Sequence, residues 1–313
     1  MNTAKLILKA GADGTEEWLN LRTKGIGGSD IAMVYTGKKT RAEWLAVKTG
    51  KVTEKISDKL QEIFDYGHTR EPVIAEKFKE YTKDKVRNTG TWAGKEQEWK
   101  LANPDRLVGA DGILEIKTAG SLTQNAKDWR KGKVPTYAWV QAHWYAHVLG
   151  RKTLWFAGEV ERELHVLGPY QADENLLAEV AALGAELWAM VQGETAPEEA
   201  PEDAAKLYPE SEPDTVMEVE PWDEAGQLLG EYLELRKQQA ELESKVSACA
   251  NRLKLAMKTT ETLVSPFGQV TWKTQTRKGA VDMVRLRKET GINPDDYRKN
   301  PTTTRPFTFK ETA

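Results

Sequence analysis

Residues 103–117 read NPDRLVGADGILEIK, a pattern that predicts two paired strands over residues 107–116. Asp111-Gly112 is a typical hairpin-turn dipeptide, and aliphatic residues flank it on both sides. Because side chains alternate along a strand, Glu115 and Lys117 are expected on one face of the second strand. Asp105 precedes the first strand, so the pairing should bring its carboxylate close to that face.

Two carboxylates and one ammonium group at one end of a hairpin suggest metal-dependent hydrolysis of a phosphodiester. Carboxylate oxygens are ligands that Mg²⁺ prefers, and a pair of them leaves coordination positions for water and a phosphate oxygen. A neighbouring ammonium group can orient the attacking water or help to deprotonate it. An ordinary surface strand pair, with Asp105 as a turn residue, would give the same short pattern. Further motifs are needed to distinguish this interpretation from a metal-dependent site.

Composition excludes several classes of protein. The chain has 313 residues, of which 39% are hydrophobic and one is a cysteine, and its length predicts about two domains. The single Cys249 excludes an internal disulfide framework and a cysteine-ligated zinc or iron–sulfur site within one chain. No apolar run approaches the roughly 20 residues of a bilayer span, and no secretory signal is recognisable, so no membrane association and a cytoplasmic location are expected.

The net charge of −3 conceals a strong segregation of charge along the chain. Residues 1–170 carry 28 basic and 22 acidic residues, residues 171–224 carry 1 and 16, and residues 225–313 carry 16 and 10. Two basic regions that flank an acidic one suit a polyanionic partner. Solvated surface charge is the alternative interpretation.

Three regions are expected: a main domain over residues 1–192, an acidic, proline-rich linker over 193–224, and a C-terminal accessory region over 225–313. Eight tryptophans before residue 170 provide large side chains for the core of the main domain. Pro72 suits the first turn of a helix, and Gly150 suits the end of one. Helices are predicted over residues 16–21, 41–49, 71–82, 137–149 and 172–192, and a strand is predicted over residues 152–157.

The C-terminal region contains apolar residues at alternating spacings of four and three from Leu228 to Ala256, which predicts a long helix. The apolar stripe is compatible with pairing to a partner helix and with packing on two strands predicted at 262–265 and 269–274. Further on stand Trp272, Lys273, Arg277 and Lys278. An aromatic residue with neighbouring cations suits nucleic acid, although a strand aromatic is more often part of a core.

Three further segments, together with the hairpin, carry a resemblance to a known family. They are WLNLRTKGIGGSDIA at 18–32, GHTREP at 67–72 and PTYAWVQ at 135–141. In this order they resemble the phage lambda exonuclease and YqaJ-like viral recombinase family, a branch of the PD-(D/E)xK nucleases, over about residues 14–160. The resemblance implies an α+β fold of the restriction-endonuclease type, with a mixed central sheet flanked by helices, before the C-terminal long helix and short β-hairpin.

The resemblance also implies roles for the hairpin residues. Asp105 and Glu115 are expected to bind Mg²⁺, with the main-chain carbonyl of Ile116 as a further ligand. Lys117 is expected to serve the nucleophilic water. Two ions are expected, and Mn²⁺ is expected to substitute for Mg²⁺.

Residues of the other segments receive roles by the same resemblance. Glu71 is expected near the second metal position, and Gln141 is expected to help arrange the site from its helix. Arg22 and Ser29 match residues that hold a 5′-terminal phosphate, and Asn103 stands where the family can place a phosphate-binding hydroxyl. The alternatives are a first-turn helix carboxylate for Glu71, a surface amide for Gln141 and a solvated charge for Arg22.

The histidines carry weaker indications. His143 and His147 lie four residues apart on one predicted helix and could face one metal ion. Without a third imidazole or thiol ligand nearby, packing or a surface position is favoured for both. His68 is expected in a loop beside the Glu71 motif.

By resemblance, the activity is 5′-to-3′ exonuclease digestion of linear double-stranded DNA ends, which leaves 3′ single strands for a single-strand annealing protein in phage-type recombination. A homo-oligomer, a ring of three subunits, is expected as well. No nucleotide-binding motif is present, so ATP use is not predicted. The alternatives are a DNA-end-binding recombination scaffold without nuclease activity and a PD-(D/E)xK endonuclease.

Overall fold

The computed structural model describes residues 3–12, 14–54, 56–276 and 279–298. These residues form two compact units, one that ends at Ser211 and one that begins at Glu212. The division falls inside the segment predicted as a linker.

Two sheets form the first unit. The central mixed sheet has the order β2-β5-β6-β7-β8, in which β6 and β7 pair in parallel and the other neighbours pair antiparallel. Its strands are β2 (Val86–Asn88), β5 (Arg106–Val108), β6 (Gly112–Ala119), β7 (Thr153–Val160) and β8 (Glu163–Gln171). A smaller antiparallel sheet has the order β1-β3-β4 and contains β1 (Ala4–Leu8), β3 (Thr91–Gly94) and β4 (Leu101–Ala102).

Helices cover both faces of the central sheet, which confirms the predicted α+β class. They are α1 (Glu16–Thr23), α2 (Gly28–Tyr35), α3 (Arg41–Lys48), α4 (Asp58–Thr82), α5 (Gln124–Arg130), α6 (Thr136–Leu149), α7 (Glu174–Val191) and the short α8 (Ala204–Leu207). Helix α4 packs against β6, β7 and β8, while α6 packs against β6 and β7 and also contacts α2 and α7.

The alternation of side chains on β6 determines which residues face each helix layer. Leu114 and Ile116 join the core that contains Phe78 of α4, whereas Ile113 joins the larger core that contains α6. Glu115 and Lys117 alternate with them and therefore share the face of Ile113. The prediction that these two side chains lie on one face is confirmed by their mutual ion pair.

Helix α4 corrects the prediction that a helix begins at Glu71. Ser57 caps the helix by accepting a hydrogen bond from the Leu60 amide at 3.3 Å, and the helix runs through Pro72. An interior proline costs about 3 kcal/mol because it removes one backbone hydrogen bond, and the burial of Ile74 and Phe78 beyond it offsets that cost. His68 is therefore a helical residue, and the prediction of a loop there is wrong.

Helix α2 begins at Gly28, directly after its N-cap residue Gly27. The Gly27 amide donates to the Asp30 carboxylate at 2.8 Å, which caps the helix. A Cβ atom on Gly28 would come within 2.6 Å of the Tyr145 ring, so glycine allows α2 to pack closely against α6. Glycine at position 28 is thus required for the packing of α2 on α6, in addition to any functional role of the motif.

Part of the predicted linker belongs to the first unit. Asp203 and Leu207 are buried, Thr40 donates to the Asp203 carboxylate at 2.5 Å, and Leu207 packs with Ala42 and Ala46 of α3. The composition of the segment is typical of a linker, but one aspartate with a hydroxyl partner and one leucine are enough to attach it to α3.

The second unit contains α9 (Glu224–Met257), a hairpin of β9 (Thr262–Ser265) and β10 (Gly268–Thr271), and α10 (Met283–Thr290). The long helix and the hairpin are confirmed. Trp272 is 47% exposed, so it is not a core residue, and Lys273 pairs with Glu261 at 3.6 Å. Arg277 and Lys278 lie outside the described residues. Within the part of the chain that is described, no helix is long and apolar enough to cross a membrane.

The attachment of Leu207 predicts a difference between two truncated proteins. The fragment 1–211 keeps the buried Leu207 side chain, which is worth about 1.5–3 kcal/mol, whereas the fragment 1–194 loses it and leaves Thr40 without its buried partner. We expect both fragments to melt cooperatively and 1–211 to melt at the higher temperature in circular dichroism. Equal melting temperatures would show that the segment does not contribute to stability.

Candidate functional site

A cleft of about 630 Å³ opens between α2, α4, α6 and the end of β6. Six of the residues predicted for the site line it: Ser29, Glu71, Asp105, Ile116, Lys117 and Gln141. Glu115 is 1% exposed and contacts this cleft through its ion pair with Lys117. Residues from four separate segments of the sequence therefore meet in one place.

Asp105 is held by the backbone of the neighbouring strand. Its Oδ2 atom accepts a hydrogen bond from the Ile116 amide at 2.5 Å. Arg106 pairs with Leu114 in the antiparallel register, so Asp105 lies just beyond the pairing and next to Glu115. The expected proximity of the two carboxylates follows from this register.

Glu115 is buried, and the charged side chains of Asp105 and Lys117 beside it are half-buried. Burial, and then the negative charge of Glu115, raises the pKa of Asp105 well above its usual value. Burial also raises the pKa of Glu115, against the opposing charge of Lys117. Burial disfavours the charged form of Lys117, but the charges of Glu115 and Asp105 outweigh it, so the pKa of Lys117 is raised and the side chain keeps its proton.

The carboxylates have unused capacity to bind a cation. Glu115 Oε2 is buried and has no hydrogen-bond partner among the described residues. A buried oxygen without a partner, beside a second carboxylate that repels it, is chemically suited to a divalent cation. No group of three or more His, Cys, Asp or Glu side chains in the described ranges is arranged to hold a metal ion.

Glu71, the third acidic residue predicted for the site, is paired with Arg106. Arg106 donates to Glu71 Oε1 at 2.5 Å and also to the carbonyl oxygen of Asp105 at 2.5 Å. The guanidinium group thus links α4 to the start of β5. The ion pair occupies one of the two Glu71 carboxylate oxygens, and the Glu71 charge adds to the pKa rise that burial causes in Asp105 and Glu115.

Gln141 lies on α6 at the opposite wall of the cleft. Its Nε2 donates to the Tyr145 hydroxyl at 2.8 Å, and its Oε1 is buried without a partner in the described structure. The alternative of a surface amide is therefore wrong. The Tyr145 contact fixes the amide and leaves one acceptor for a bound molecule.

Arg22 and Ser29 contact each other, as expected of residues that share one ligand. Arg22 Nη2 donates to Ser29 Oγ at 3.1 Å, and its guanidinium group lies 4.7 Å from the centre of the Trp18 ring. The Arg22–Ser29 hydrogen bond joins α1 to α2; Ser29 lines the cleft, whereas Arg22 does not. These contacts also show that Arg22 is not simply a solvated charge.

Asp30 stabilises the start of α2, next to the Arg22–Ser29 contact. It accepts hydrogen bonds from Trp44 Nε1 and Lys48 Nζ, both at 2.9 Å, in addition to the Gly27 amide. Burial opposes the charge of Asp30, but Lys48 and these donors outweigh it, and the pKa of Asp30 is lowered. Asp30 therefore holds the start of α2, where Ser29 lies, against α3.

Three predicted candidates lie outside the cleft or have structural roles. Asn103 accepts from Thr91 Oγ1 at 3.2 Å, so its contact with a phosphate stays a prediction. His143 accepts from the Asp173 amide at 3.0 Å and lies 2.7 Å from the Trp139 carbonyl, which occupies both ring nitrogens. His147 lies 2.9 Å from Lys100 Nζ, and burial followed by the Lys100 charge lowers its pKa to about 4. A metal site at these histidines is not formed in the described structure.

Sequence reasoning missed three residues of the site. Arg106 stands inside the quoted hairpin, but nothing in its spacing shows that it reaches Glu71 on α4. Tyr137 and Lys38 line the cleft, with Lys38 Nζ 4.2 Å from the Tyr137 ring centre. The resemblance included Tyr137 in a motif without giving it a role.

Comparisons with known proteins show which family part of this chain resembles. Residues 17–152 match the family model described as the YqaJ-like viral recombinase domain. The uncharacterized protein YqaJ of Bacillus subtilis strain 168 is 29% identical over 325 residues, which cover 99% of this chain and 98% of that protein.

Solved structures show a partial likeness. The alkaline exonuclease LHK-Exo of Laribacter hongkongensis superposes with a TM-score of 0.49 and 22% identity over 57% of this chain and 94% of the exonuclease. Its complex with dAMP superposes with the same TM-score at 23% identity and with the same coverage of both chains.

The matched segment contains α2, α4, the β5–β6 hairpin and α6, which together build the cleft. It also contains all four motifs on which the resemblance was based. Residues 17–152 are therefore similar to the YqaJ-like viral recombinase domain, which agrees with the predicted resemblance.

Proposed function

We propose that the first unit is a Mg²⁺-dependent deoxyribonuclease that digests linear double-stranded DNA from its 5′ ends. The observation that carries this proposal is the close group of Asp105, Glu115 and Lys117, in which a buried Glu115 oxygen without a hydrogen-bond partner in the described structure is suited to a cation. Two carboxylates beside a lysine, at the wall of an open cleft, suit phosphodiester hydrolysis.

Asp105, Glu115 and the Ile116 carbonyl would hold the metal ion. When bound, a divalent cation polarises the phosphate and lowers the pKa of an attacking water. Mn²⁺ shares the preference of Mg²⁺ for oxygen ligands and should substitute for it. Glu71, which pairs with Arg106 through one carboxylate oxygen, would contribute to a second ion.

Lys117 and Gln141 would position the reacting groups. Lys117 would donate hydrogen bonds that orient the water or a phosphate oxygen, or would help to deprotonate the water. The free acceptor of Gln141 can take a hydrogen bond from the water or the nucleotide on the opposite wall. The Tyr145 contact keeps that acceptor in place.

Arg22 and Ser29 would hold the 5′-terminal phosphate. A guanidinium group and a hydroxyl group 3.1 Å apart can both donate to one phosphate, and the Trp18 ring restricts the arginine. Phosphate binding at this corner would place the first phosphodiester toward the carboxylates. Ser29 lines the same cleft as Asp105 and Lys117, which supports the proposal of attack from an end.

The wider setting of the activity is part of the same proposal. Digestion from 5′ ends leaves 3′ single strands, which a single-strand annealing protein would bind during recombination. A ring of three subunits, which would keep the enzyme on its duplex, and a cytoplasmic location are expected from the resemblance. The match of residues 17–152 to the YqaJ-like viral recombinase domain supports the recombination setting.

The main test compares DNA forms. Full-length protein is incubated with linear duplex and with covalently closed circles of the same sequence, in Mg²⁺ or in EDTA. We expect digestion of linear DNA in Mg²⁺ and of neither substrate in EDTA. Cleavage of circles would instead identify an endonuclease, and binding to ends without any cleavage would identify a scaffold.

Loss of either proposed ligand should abolish hydrolysis. Glu115→Gln and Asp105→Asn keep the side-chain volume but remove a negative charge from the metal site, so the digestion rate should fall beyond the roughly 10–100-fold typical of outer-shell changes. Glu163→Gln, which alters a carboxylate side chain that is 73% exposed, is the matched control. Circular dichroism checks folding, and near-normal digestion by either variant would refute the assignment.

Arg22 separates end recognition from general DNA binding. Wild-type protein should prefer 5′-phosphorylated over 5′-hydroxyl duplexes, and Arg22→Ala should lose most of that preference. A charge-assisted contact of ~1.5–3 kcal/mol corresponds to a roughly 10- to 100-fold change in rate on phosphorylated ends.

The control for this prediction is Arg41→Ala, which removes an exposed arginine that pairs with Glu186 outside the cleft. Digestion is compared at low and moderate salt, because general phosphate contacts weaken as salt rises. Equal losses on both kinds of end would show that Arg22 is a structural or general DNA-binding residue.

A further inference from the structure

Helix α9 carries an apolar stripe that the described structure leaves exposed. The α9 seam consists of Leu228, Tyr232, Leu235, Gln239, Leu242, Val246, Cys249, Leu253 and Ala256. Leu235, Leu242 and Val246 are 55%, 63% and 60% exposed. The predicted alternative, in which the stripe packs on β9 and β10, is therefore wrong, and the seam needs a different partner.

The spacing of the seam is that of a coiled coil. Alternating steps of four and three over four heptads keep the stripe on one side of a gently supercoiled helix. At a rise of about 1.5 Å per residue, the seam extends over roughly 40 Å. An apolar surface of this length on a 34-residue helix is typical of an interface between helices.

Charges beside the seam indicate which helix pairs with it. Glu231, Lys245 and Arg252 lie along one side, and Arg236 and Glu243 lie along the other. If a second copy of α9 lies antiparallel, Arg236 faces Glu243 of the second copy and Glu231 faces its Arg252. By symmetry both contacts occur twice, so four pairs of opposite charge form and no like charges meet.

In a parallel pair, fewer of these side chains would meet a side chain of opposite charge. Glu231 would face Arg236 of the second copy, while Glu243 would face Gln238 and Lys245 would face Ala250. The parallel alignment therefore has two attractive pairs where the antiparallel one has four. Flanking charges contribute little energy but determine the orientation of such helices.

The seam layers are compatible with the antiparallel alignment. Leu228 would meet Leu253, Tyr232 would meet Cys249, Leu235 would meet Val246 and Gln239 would meet Leu242. Gln239 donates to Glu243 of its own helix at 2.9 Å, so its amide has a partner when it faces a leucine. The Leu228–Leu253 and Leu235–Val246 layers thus each combine two aliphatic side chains of similar size.

We propose that α9 is a self-association site at which two copies of this chain pair through an antiparallel two-stranded coiled coil. This contact is two-fold, so it is distinct from a three-subunit ring and would join two protomers or two rings. It does not depend on the proposed nuclease activity, because none of its residues lines the cleft.

The mass of the assembly tests the pairing. Leu235→Glu with Leu242→Glu places four carboxylates in the interface and should halve the mass measured by light scattering, whatever the state of the first unit. Leu255→Glu makes the same change at a leucine that is 76% exposed on another face of α9, and it should leave the mass unchanged. An unchanged mass in the double variant would overturn the proposal.

Disulfide formation tests the orientation. Tyr232→Cys should cross-link to the native Cys249 of the second copy under mild oxidation, which gives a covalent dimer on a non-reducing gel. The two positions are roughly 25 Å apart on one helix, so they cannot bond within one chain. Wild type and Tyr232→Cys with Cys249→Ser should give no covalent dimer.

Two results of the disulfide test would overturn the antiparallel arrangement. A covalent dimer of the wild type through Cys249 would indicate a parallel pair and overturn the antiparallel arrangement. A Tyr232→Cys protein that stays monomeric on the gel, while the wild-type mass shows two paired copies, would overturn it as well. Arg236→Glu should weaken the pair and Arg236→Glu with Glu243→Arg should restore it, because the two residues face each other across the helices.

Discussion

The buried pairing of Lys117 with Glu115 is the constraint on which the site depends. Two carboxylates cannot be buried side by side without a compensating positive charge, since desolvation and mutual repulsion both oppose their ionised forms. Lys117 supplies that charge from the same face of β6, and the Ile116 amide supplies a hydrogen bond to Asp105. One strand thereby stabilises an arrangement that retains an unpaired oxygen for a cation.

The surrounding helices keep this arrangement open to one side. Helix α4 contributes Glu71, which Arg106 attaches to the sheet, and α6 contributes Gln141, which Tyr145 fixes. Helix α2 can approach α6 only because residue 28 has no side chain. The cleft is thus a consequence of how closely three helices pack around the end of one strand.

The second unit is stabilised differently from the first. Its long helix buries little of its own apolar surface, so its stability has to come from local helix propensity and from a partner. The first unit has large cores on both faces of its sheet. A chain built in this way separates a site that needs burial from a surface that serves association.

The sequence by itself determined the features that depend on neighbours in the chain. The Asp-Gly turn and the alternation of β6 predicted the shared face of Glu115 and Lys117, and the heptad spacing predicted α9. The tertiary structure decided the start of α4, the attachment of Leu207 and the partner of Glu71. Local patterns record hydrogen bonds and periodicity, whereas these outcomes depend on burial and charge pairing between residues far apart in sequence, which no local pattern contains.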